Sequence, residues 1–521
     1  MVRYSLLFFI VLSCFAALLP GCEPKEDLVQ TSGRLEFDTD SVLFDTVFTT
    51  VRTVTKRLWV YNRNSGAVRT DIALAGTQNA TYSLVINGDA GPGKSNVLIR
   101  GRDSLQVLVR AVVGDNGTAA RPKDFIVADQ LNFLTNGNAQ DVKLVAYGQN
   151  AYFHRADIIR IDTIWPTDKP HVIINSPYTQ GNNTFPVGVA VLNGVTLTIP
   201  AKARVYCHNG ATMQINGTLL VNPGFTSSDT VKAGNRNLVR FQGDRLEPQF
   251  ADVPGQWGGI FFTATSRNNV VRYCDIKNAN FGLEVLNTDL STPSPDLRVD
   301  NTTIRNISGS NPAYTSAGSL PGGLVNVAGK ILATNCLLTN CGEYAVLGLG
   351  GETTLNFCTV ANYFQGQAQR QTPSVFFTNA LSTATGTTKV RLDAKVLNSI
   401  IWGSAGVVDE LLFENSNDYY PVGATGGSLR VRNSLIRSRE YAGSTDAPDK
   451  PGLGQPGYGN VLNQTPNFFR SPENGLGNFD FSPKAPSPAL GRQGVGFVPG
   501  ADLRNLPRDS ITPELGALKQ H

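Results

Sequence analysis

The chain contains few of the side chains that usually bind metal ions or act as catalytic bases. Its 521 residues include only four histidines, two methionines and seven cysteines. Zinc sites favour closely spaced Cys and His ligands, and Cys207 and His208 form a single adjacent pair. No phosphate-binding loop, nucleophile elbow, HExxH motif or dinucleotide fingerprint is present in the sequence. We therefore predict no metal site.

Charge is also sparse. Asp, Glu, Lys and Arg make up 17% of the residues, and the net charge is only +4. A balance this small, spread along the chain, argues against a nucleic acid partner. Abundant glycine (52 residues) with low charge is typical of an extracytoplasmic all-β protein. The length favours more than one domain.

A short motif recurs six times in the second half of the chain. Each copy has a small residue, a spacer, an aliphatic residue and a second spacer, and four copies end on Asn. Alternation at period two predicts a strand, and its recurrence predicts coils stacked in a β-solenoid. The copies are Cys274–Asn278, Thr302–Asn306, Cys336–Asn340, Cys358–Asn362, Ser399–Gly403 and Ser434–Ser438.

The motif also predicts what each column of residues does. The small and aliphatic positions should face inward, so Cys274, Cys336 and Cys358 are predicted to be small buried residues. The asparagines fall where each strand ends, and stacked amides can hydrogen-bond to one another. A ladder at the turn is the favoured interpretation, and a row of sugar-binding amides is the alternative.

The first residues predict a targeting signal rather than a folded element. An apolar run from Leu6 to Leu19 leads into Pro-Gly-Cys22. This pattern resembles the signal peptide of bacterial lipoproteins of the Bacteroidetes type. The resemblance implies a signal over 1–22, a lipidated Cys22 and a tether over 23–34. It also implies an outer-membrane anchor facing the cell exterior, or alternatively the periplasm. A secretory or membrane-spanning segment with an incidental cysteine is the other interpretation.

Residues 35–152 are predicted to form a β-sandwich. Seven short strand candidates separated by Asn- and Gly-rich turns are similar to the immunoglobulin-like (Ig-like) class. The candidates are Ser41–Val47, Arg57–Tyr61, Thr70–Ala75, Ser83–Ile86, Ser104–Val112, Gln130–Leu134 and Asp141–Tyr147.

Residues 170–515 are predicted to form the solenoid and its C-terminal cap. The stretch Gly255–Phe261, which reads GQWGGIF, and several tail motifs resemble the right-handed parallel β-helix family of the pectate-lyase-like superfamily. The tail motifs are Phe481–Pro483, Ser487–Gly491, Asp502–Arg504 and Pro513–Ala517. The fold class is thus predicted to be all-β, an Ig-like sandwich followed by a parallel β-helix.

A binding site is predicted where the insertion before the last copy of the motif meets Trp402. Outward spacers in the late copies are apolar, so loops or the C-terminal tail cover them, or a ligand binds there. Aromatic rings beside carboxylates can hold sugars, and Ca²⁺ is the one ion that this pattern leaves open. Solvated loop residues and turn caps are the simpler interpretation. The candidate residues are Trp402, Asp409, Glu410, Glu414, Asp418, Tyr419 and Tyr420.

The predicted function is a cell-surface lipoprotein whose β-helix binds glycans or partner proteins. The family resemblance implies an alternative, a polysaccharide lyase or glycoside hydrolase, which needs carboxylates from adjacent coils. Asp275 has no acidic residue at the equivalent position of the other copies, which argues against that alternative unless the carboxylates lie in loops. His171 and His208 are far in sequence from other candidate catalytic groups and are predicted to be structural. An architectural spacer is the third interpretation.

Overall fold

The computed structural model divides into two compact units, residues 1–150 and 151–521. No helix of the part that it describes is long and apolar enough to cross a membrane. The predicted signal over 1–22 and its Cys22 lie outside the described residues, and so do the first residues of the tether. The described ranges are 28–48, 53–76, 81–114, 126–224, 237–309, 320–364, 370–383, 386–414, 429–443, 445, 451–474 and 478–520.

The first unit contains two five-stranded sheets, in the orders β1-β3-β8-β5-β6 and β2-β10-β9-β4-β7. Neighbouring strands are antiparallel except β2 and β10, which are parallel. The strands are β1 (Glu36–Phe37), β2 (Ser41–Phe48), β3 (Lys56–Tyr61), β4 (Val68–Leu74), β5 (Tyr82–Ile86), β6 (Asp89–Gly91), β7 (Gly93–Ile99), β8 (Ser104–Ala111), β9 (Ile126–Thr135) and β10 (Asn138–Gln149).

Alternating apolar residues build the core of this unit. Strand β8 buries every second side chain, and residues from both sheets share one apolar cluster that includes Phe44, Leu58 and Phe133. All seven predicted strands are present. The prediction missed β1, β6 and β7, since β1 and β6 are very short and β7 begins with the polar run GKSN. The Ig-like assignment stays a prediction.

The second unit is a parallel β-helix with three sheets, and each full coil contributes one strand to each sheet. The eleven-stranded sheet is called the long sheet here. Its strands are β11 (Tyr152–Arg155), β14 (His171–Ile174), β19 (Arg204–Cys207), β22 (Val239–Gly243), β25 (Cys274–Lys277), β28 (Thr303–Ile307), β31 (Leu337–Cys341), β34 (Thr359–Asn362), β39 (Ile400–Gly403), β42 (Leu435–Ile436) and β43 (Val461–Leu462).

The other two sheets have nine strands each. The second sheet contains β12 (Asp157–Ile159), β17 (Val189–Val191), β20 (Thr212–Ile215), β23 (Gly259–Phe262), β26 (Leu283–Leu286), β29 (Gly322–Val327), β32 (Tyr344–Leu349), β35 (Val375–Thr378) and β40 (Leu411–Glu414). The third contains β13 (Thr163–Ile164), β18 (Thr196–Ile199), β21 (Thr218–Val221), β24 (Asn269–Arg272), β27 (Asp296–Asp300), β30 (Lys330–Thr334), β33 (Gly351–Asn356), β38 (Leu392–Leu397) and β41 (Leu429–Arg432).

Short additions complete the unit. Within the described ranges, 3-10 turns cover Pro248–Phe250 and Pro456–Tyr458. Parallel pairing begins at Tyr152, ahead of the expected start at 170. Three antiparallel hairpins join β15 (Ser176–Gln180) to β16 (Asn183–Val187), β36 (Ala380–Thr383) to β37 (Gly386–Lys389), and β44 (Phe468–Arg470) to β45 (Asp480–Pro483).

The six copies of the motif lie on consecutive strands of the long sheet, from β25 to β42. Their aliphatic residues pair in one unbroken column and are fully buried, as predicted. Burying each of these side chains contributes about 1.5–3 kcal/mol before the entropy of ordering is subtracted. The column is Ile276, Ile304, Leu338, Val360, Ile401 and Ile436.

The predicted asparagine ladder is present at the ends of three strands. The Asn306 side chain donates to Asn278 Oδ1 at 3.1 Å, and Asn340 donates to Asn306 Oδ1 at 2.7 Å. All three have positive φ, which Asn tolerates better than most residues. Asn362 differs, because its Oδ1 accepts a hydrogen bond from the backbone of Cys341 instead. The ladder is therefore present at the first three positions, and two of its members, Asn306 and Asn340, also line the groove described below.

A second row of asparagines binds the segment 478–520, which is called the C-terminal segment. Each side-chain amide donates to a backbone carbonyl of this segment at 2.7–2.9 Å. The segment covers the apolar outer face of the late coils, which confirms the expectation that the tail could cover them. The pairs are Asn301 with Asp502, Asn335 with Ala501, Asn356 with Phe497, Asn398 with Val495, and Asn433 with Gln493.

The buried thiols give a first prediction. Cys274, Cys336 and Cys358 lie in the apolar core, and burial raises the pKa of the Cys274 and Cys336 thiols well above its ordinary value. Because the thiolate is the reactive form, we expect no alkylation of these three cysteines by iodoacetamide in the native protein. Peptide mass spectrometry before and after denaturation checks this. Rapid native alkylation would contradict the inward orientation of this column.

Candidate functional site

The structure places two of the predicted binding residues inside the protein. Trp402 is buried in the apolar cluster beneath the C-terminal segment, and the Arg437 guanidinium lies 4.3 Å from the centre of its ring. Glu410 is completely buried. These two side chains therefore do not form an exposed surface, and their predicted role in glycan binding stays untested.

Glu410 belongs to a buried ion pair. Its Oε1 accepts a hydrogen bond from Arg370 Nη2 at 2.7 Å, and its Oε2 accepts from the backbone and hydroxyl of Ser374. Burial raises the pKa of Glu410, although Arg370 and Ser374 oppose this shift. A Cβ at position 403 would overlap both charged groups, so Gly403 is required by close packing. The sequence concealed this pair, because its members are forty residues apart.

The remaining predicted binding residues do not form a common site with Trp402 and Glu410. Asp409 Oδ1 accepts hydrogen bonds from the Ser438 hydroxyl and from two backbone amides, those of Arg439 and Glu440. This is the turn-capping role that was the simpler interpretation. Glu414 is exposed at the end of β40. The other candidates, Asp418, Tyr419 and Tyr420, lie outside the described residues.

A groove of about 950 Å³ runs over the outer face of the long sheet, on its earlier coils. Strands β22, β25, β28 and β31 form its floor. The loop after the turn Pro248–Phe250 contributes Asp252 and Pro254 to its lining, and the C-terminal segment contributes several residues. The outward floor residues are Arg240, Gln242, Asp275, Lys277, Thr303, Arg305, Leu337 and Thr339, and the C-terminal residues are Asn478, Phe479, Asp480, Phe481, Leu503, Arg504 and Leu518.

Arg305 organises the charges on the floor. Its guanidinium donates two hydrogen bonds to the Asp275 carboxylate, at 3.0 and 3.1 Å, and a third to Asp252 at 3.1 Å. Asn306 also donates to Asp252, at 3.0 Å. A bidentate pair of this kind fixes both the position and the orientation of the two groups. The sheet and its neighbouring loop are thereby tied together across the floor.

Neighbouring charges fix the protonation of Asp275. Burial alone would raise the pKa of Asp275, but the charge and hydrogen bonds of Arg305 outweigh it and leave this pKa below its usual value. Lys277 shifts in the same direction, because burial and repulsion by Arg305 lower its pKa. Its Nζ donates to the carbonyl of Ala251 at 2.8 Å. The floor therefore presents a fixed carboxylate among basic side chains.

One side of the groove offers an aromatic surface. Phe479 is 37% exposed, and its ring lies 6.1 Å from that of Phe481, which stacks on Tyr363. Hydroxyl and amide groups such as Thr303 and Gln242 face the same space. An aromatic face beside polar groups that donate and accept hydrogen bonds is suited to a sugar ring.

Three carboxylates reach this groove from distant parts of the chain. The sequence predicted no acidic partner for Asp275 on the neighbouring strands. This is confirmed for the groove, where Asp275 is the one carboxylate among the outward residues of the floor strands. Asp252 comes from a loop and Asp480 from the C-terminal segment, so no periodicity indicates them. Asp480 accepts hydrogen bonds from the backbone and hydroxyl of Ser482. Among the residues that the structure describes, no group of three metal-binding side chains is assembled.

The histidines are less isolated than the sequence suggested. His154 Nε2 lies 2.9 Å from His171 Nδ1, and His171 Nε2 lies 2.8 Å from the carbonyl of Pro166. His154 Nδ1 lies 2.6 Å from Asp157, and both imidazole rings stack on Trp165. This cluster spans the first two coils, because His154 lies on β11 and His171 on β14, and none of its members lines the groove. It is consistent with the predicted structural role of His171.

His208 also has a carboxylate partner. Its Nδ1 lies 2.6 Å from Asp244 Oδ2, and this hydrogen bond raises the pKa of His208. The ring is about half exposed, whereas Asp244 is almost buried. Both groups lie at the ends of strands of the long sheet, outside the groove lining.

The comparisons with known proteins leave the family open. No protein-family model matches the chain, and no curated protein matches it. The catalytic domain of a GH87 alpha-1,3-glucanase in complex with nigerose is 10% identical, with 80% of this chain and 91% of that one covered and a TM-score of 0.24. The catalytic unit of a GH87 alpha-1,3-glucanase from Streptomyces thermodiastaticus is 10% identical, covering 69% and 78%, with a TM-score of 0.18.

A third solved structure matches a smaller part. The ASH / PapD-like domain of human CEP192 is 10% identical, with 23% of this chain and 89% of that domain covered and a TM-score of 0.18. Likenesses at these TM-scores carry no argument about activity. The functional assignment therefore rests on the groove itself.

Proposed function

We propose that the β-helix unit binds a neutral or weakly acidic glycan in the groove over β22, β25, β28 and β31, and that the protein is a lipoprotein of the bacterial cell surface. The observation that carries the first part is the groove itself, where an exposed aromatic ring lies beside a polar floor. The second part rests on the signal-like segment and Cys22. A binding role agrees with the extended surface that solenoids offer.

The charges of the groove favour a glycan over other polymers. Four basic side chains and three carboxylates line it, and they leave only a small positive excess. Nucleic acids are bound by surfaces with a much larger excess of Lys and Arg. A peptide that adds a strand needs an unpaired sheet edge, whereas this floor is the face of a sheet whose strands are paired on both sides.

Phe479 provides the sharpest test of this proposal. We expect Phe479→Ala to weaken glycan binding about twofold to tenfold, because stacking on an aromatic ring contributes about 0.5–1.5 kcal/mol. Phe185→Ala is the matched control, since Phe185 is also 37% exposed but lies on the hairpin strand β16. A glycan array probed with the wild type and both variants measures the effect. An array without any bound glycan, or an equal loss in both variants, would refute the proposal.

A glycoside hydrolase or polysaccharide lyase is the second candidate. It is favoured by Asp252 and Asp275, which share the Arg305 guanidinium, and by Asp480 in the same groove. A glycosidase needs one carboxyl group that stays protonated to act as the acid, and Arg305 instead holds Asp275 in its charged form. This candidate is therefore the weaker one. Release of new reducing ends or unsaturated ends from polysaccharides, lost in Asp480→Asn, would reverse the order.

A further inference from the structure

We infer that the groove receives the end of a glycan chain and does not bind along the middle of a long polymer. This inference rests on the proposed function and adds the class of ligand. It follows from the position of the C-terminal segment, which covers the outer face of the long sheet from β34 onward and so ends the exposed floor at β31. A groove that is closed at one end leaves no path for a chain that continues in that direction.

The floor has two columns of outward residues, and both become buried at the same strand. The first column runs from Asp275 through Thr303 and Leu337, which are partly exposed, to Thr359, which is fully buried. The second column, with Lys277, Arg305 and Thr339, leads in the same way to the buried Ala361. The exposed floor therefore stops between β31 and β34.

Direct contacts close this end. The backbone amide of Ala517 donates to Thr359 Oγ1 at 2.8 Å. Gly516 packs so closely on Thr359 and Ile400 that a Cβ there would overlap the threonine hydroxyl. Phe481 stacks on Tyr363 in the same apolar cluster, with the two ring centres 6.0 Å apart. No sugar ring can pass between the segment and the sheet at this position.

The closing segment is held firmly in place. The Asp502 carboxylate accepts hydrogen bonds from the backbone amides of Arg504, Leu506 and Lys519, at 2.8–2.9 Å. The Asp502 carbonyl in turn accepts from Asn301 at 2.9 Å. Since buried polar groups that are fully paired resist displacement, the segment acts as a fixed wall of the groove and not as a lid.

Among the residues that the structure describes, the opposite end of the floor continues toward the earlier coils. Arg204 pairs with Arg240 in the strand before the floor, and its side chain is partly exposed, as is that of Tyr206. Four floor strands, at a spacing of about 4.8 Å, give a floor of roughly 15–20 Å along the axis. The groove thus accommodates a short terminal stretch of a linear glycan whose remainder leaves over β19.

The test uses the full chain and a panel of linear glucan, galactan, mannan and xylan oligosaccharides. Each is prepared with both ends free, with a bulky fluorophore or benzyl cap on either end alone, and with caps on both ends. Affinity is measured by isothermal titration with the wild type. Phe479→Ala is included to verify that the binding measured occurs in the groove.

We expect that one end of the chain must be free. Capping that end, or both ends, should weaken binding at least about tenfold, whereas capping the other end should leave the affinity unchanged. Equal affinity for the free and the doubly capped forms, with sensitivity to Phe479→Ala, would overturn this inference and leave the proposed function standing. Binding that is unchanged by Phe479→Ala, or no binding across the array and this panel, would overturn both this inference and the proposed function.

Discussion

Replacing Arg370 with Ala is expected to lower the free energy of unfolding of the β-helix unit by about 3–5 kcal/mol. The reason is that Glu410 would remain in the core without its cation. The side chains of Arg370 and Glu410 are 1% and 0% exposed, and their closest atoms are 2.7 Å apart. Removing one partner of such a pair leaves an uncompensated buried charge, and urea unfolding followed by circular dichroism measures the loss.

The surface pair Lys330–Glu352 is the matched control for this prediction. It has a similar N···O distance, 3.3 Å, but its side chains are 57% and 51% exposed. Exposed pairs contribute about 0–1 kcal/mol, so Lys330→Ala should change the unfolding free energy little. Replacing Arg370 and Glu410 together with Met and Leu should recover much of the loss, because an apolar pair needs no compensating charge. Equal small losses for Arg370→Ala and Lys330→Ala would show that the pair is not buried.

Protonation of His171 is expected to remove up to about 3 kcal/mol of stability from the β-helix unit as the pH falls from about 6.5 to about 4. The buried Glu284, whose pKa burial raises to about 8, acts in the opposite direction over this range, so the effect of His171 is measured as a difference between variants. Burial lowers the pKa of His171 to about 4, although its hydrogen bond to Pro166 opposes this shift. In the unfolded chain the pKa of His is about 6.5. Between these values the unfolded state binds the extra proton, so protonation favours unfolding. This contribution is fully present above pH 6.5 and disappears as the pH falls through 4.

The surroundings of His171 give this effect its direction. Nε2 carries the hydrogen that is donated to the Pro166 carbonyl, so Nδ1 accepts from His154 Nε2. A second proton, on His171 Nδ1, would place this N–H against the N–H of His154 Nε2, so two donors would face each other. Two carboxylates lie near this pair of rings. Asp157 contacts His154, and the charge of Asp168 favours the protonated form of His171. Asp168 also accepts a hydrogen bond from the Tyr152 hydroxyl, and the Tyr152 ring faces Lys169.

Unfolding curves of the wild type and of His171→Asn across this pH range measure the effect. The unfolding free energy of the wild type, relative to that of the variant, should fall by up to about 3 kcal/mol between pH 6.5 and pH 4. His208→Asn is the contrasting control, because the hydrogen bond to Asp244 raises the pKa of His208, so its contribution is present at low pH and is lost as the pH rises. An unchanged slope in His171→Asn would contradict the buried, neutral state of this ring.

The repeated coils could be read from the sequence because each motif obeys a local rule. A strand that buries one face must alternate, and Ile276, Ile304 and Leu338 keep that alternation in register through every coil. The asparagine ladder was predictable for the same reason, since Asn at a bend both tolerates positive φ and pairs with its neighbour. A cover by the C-terminal segment was one of the alternatives that the sequence left open, because apolar spacers such as Ile400 need either a cover or a ligand.

The groove could not be read in the same way. Its floor comes from the repeats, but Asp252 lies in a loop and Phe479 in the C-terminal segment, so only the fold brings them into one groove with Arg305. The predicted exposure of a charged residue was wrong for a related reason. Glu410 looks like a solvated loop residue in the sequence, and its burial is compensated by the distant Arg370 together with Ser374.

Hydrogen exchange with and without a bound array glycan tests the central claim most directly. We expect added protection in peptides that contain the loop around Asp252 and the segment from Phe479 to Phe481, with none on the hairpin of β15 and β16. Protection confined to that hairpin, or to the sheets of the first unit, would contradict a binding site on the outer face of the long sheet.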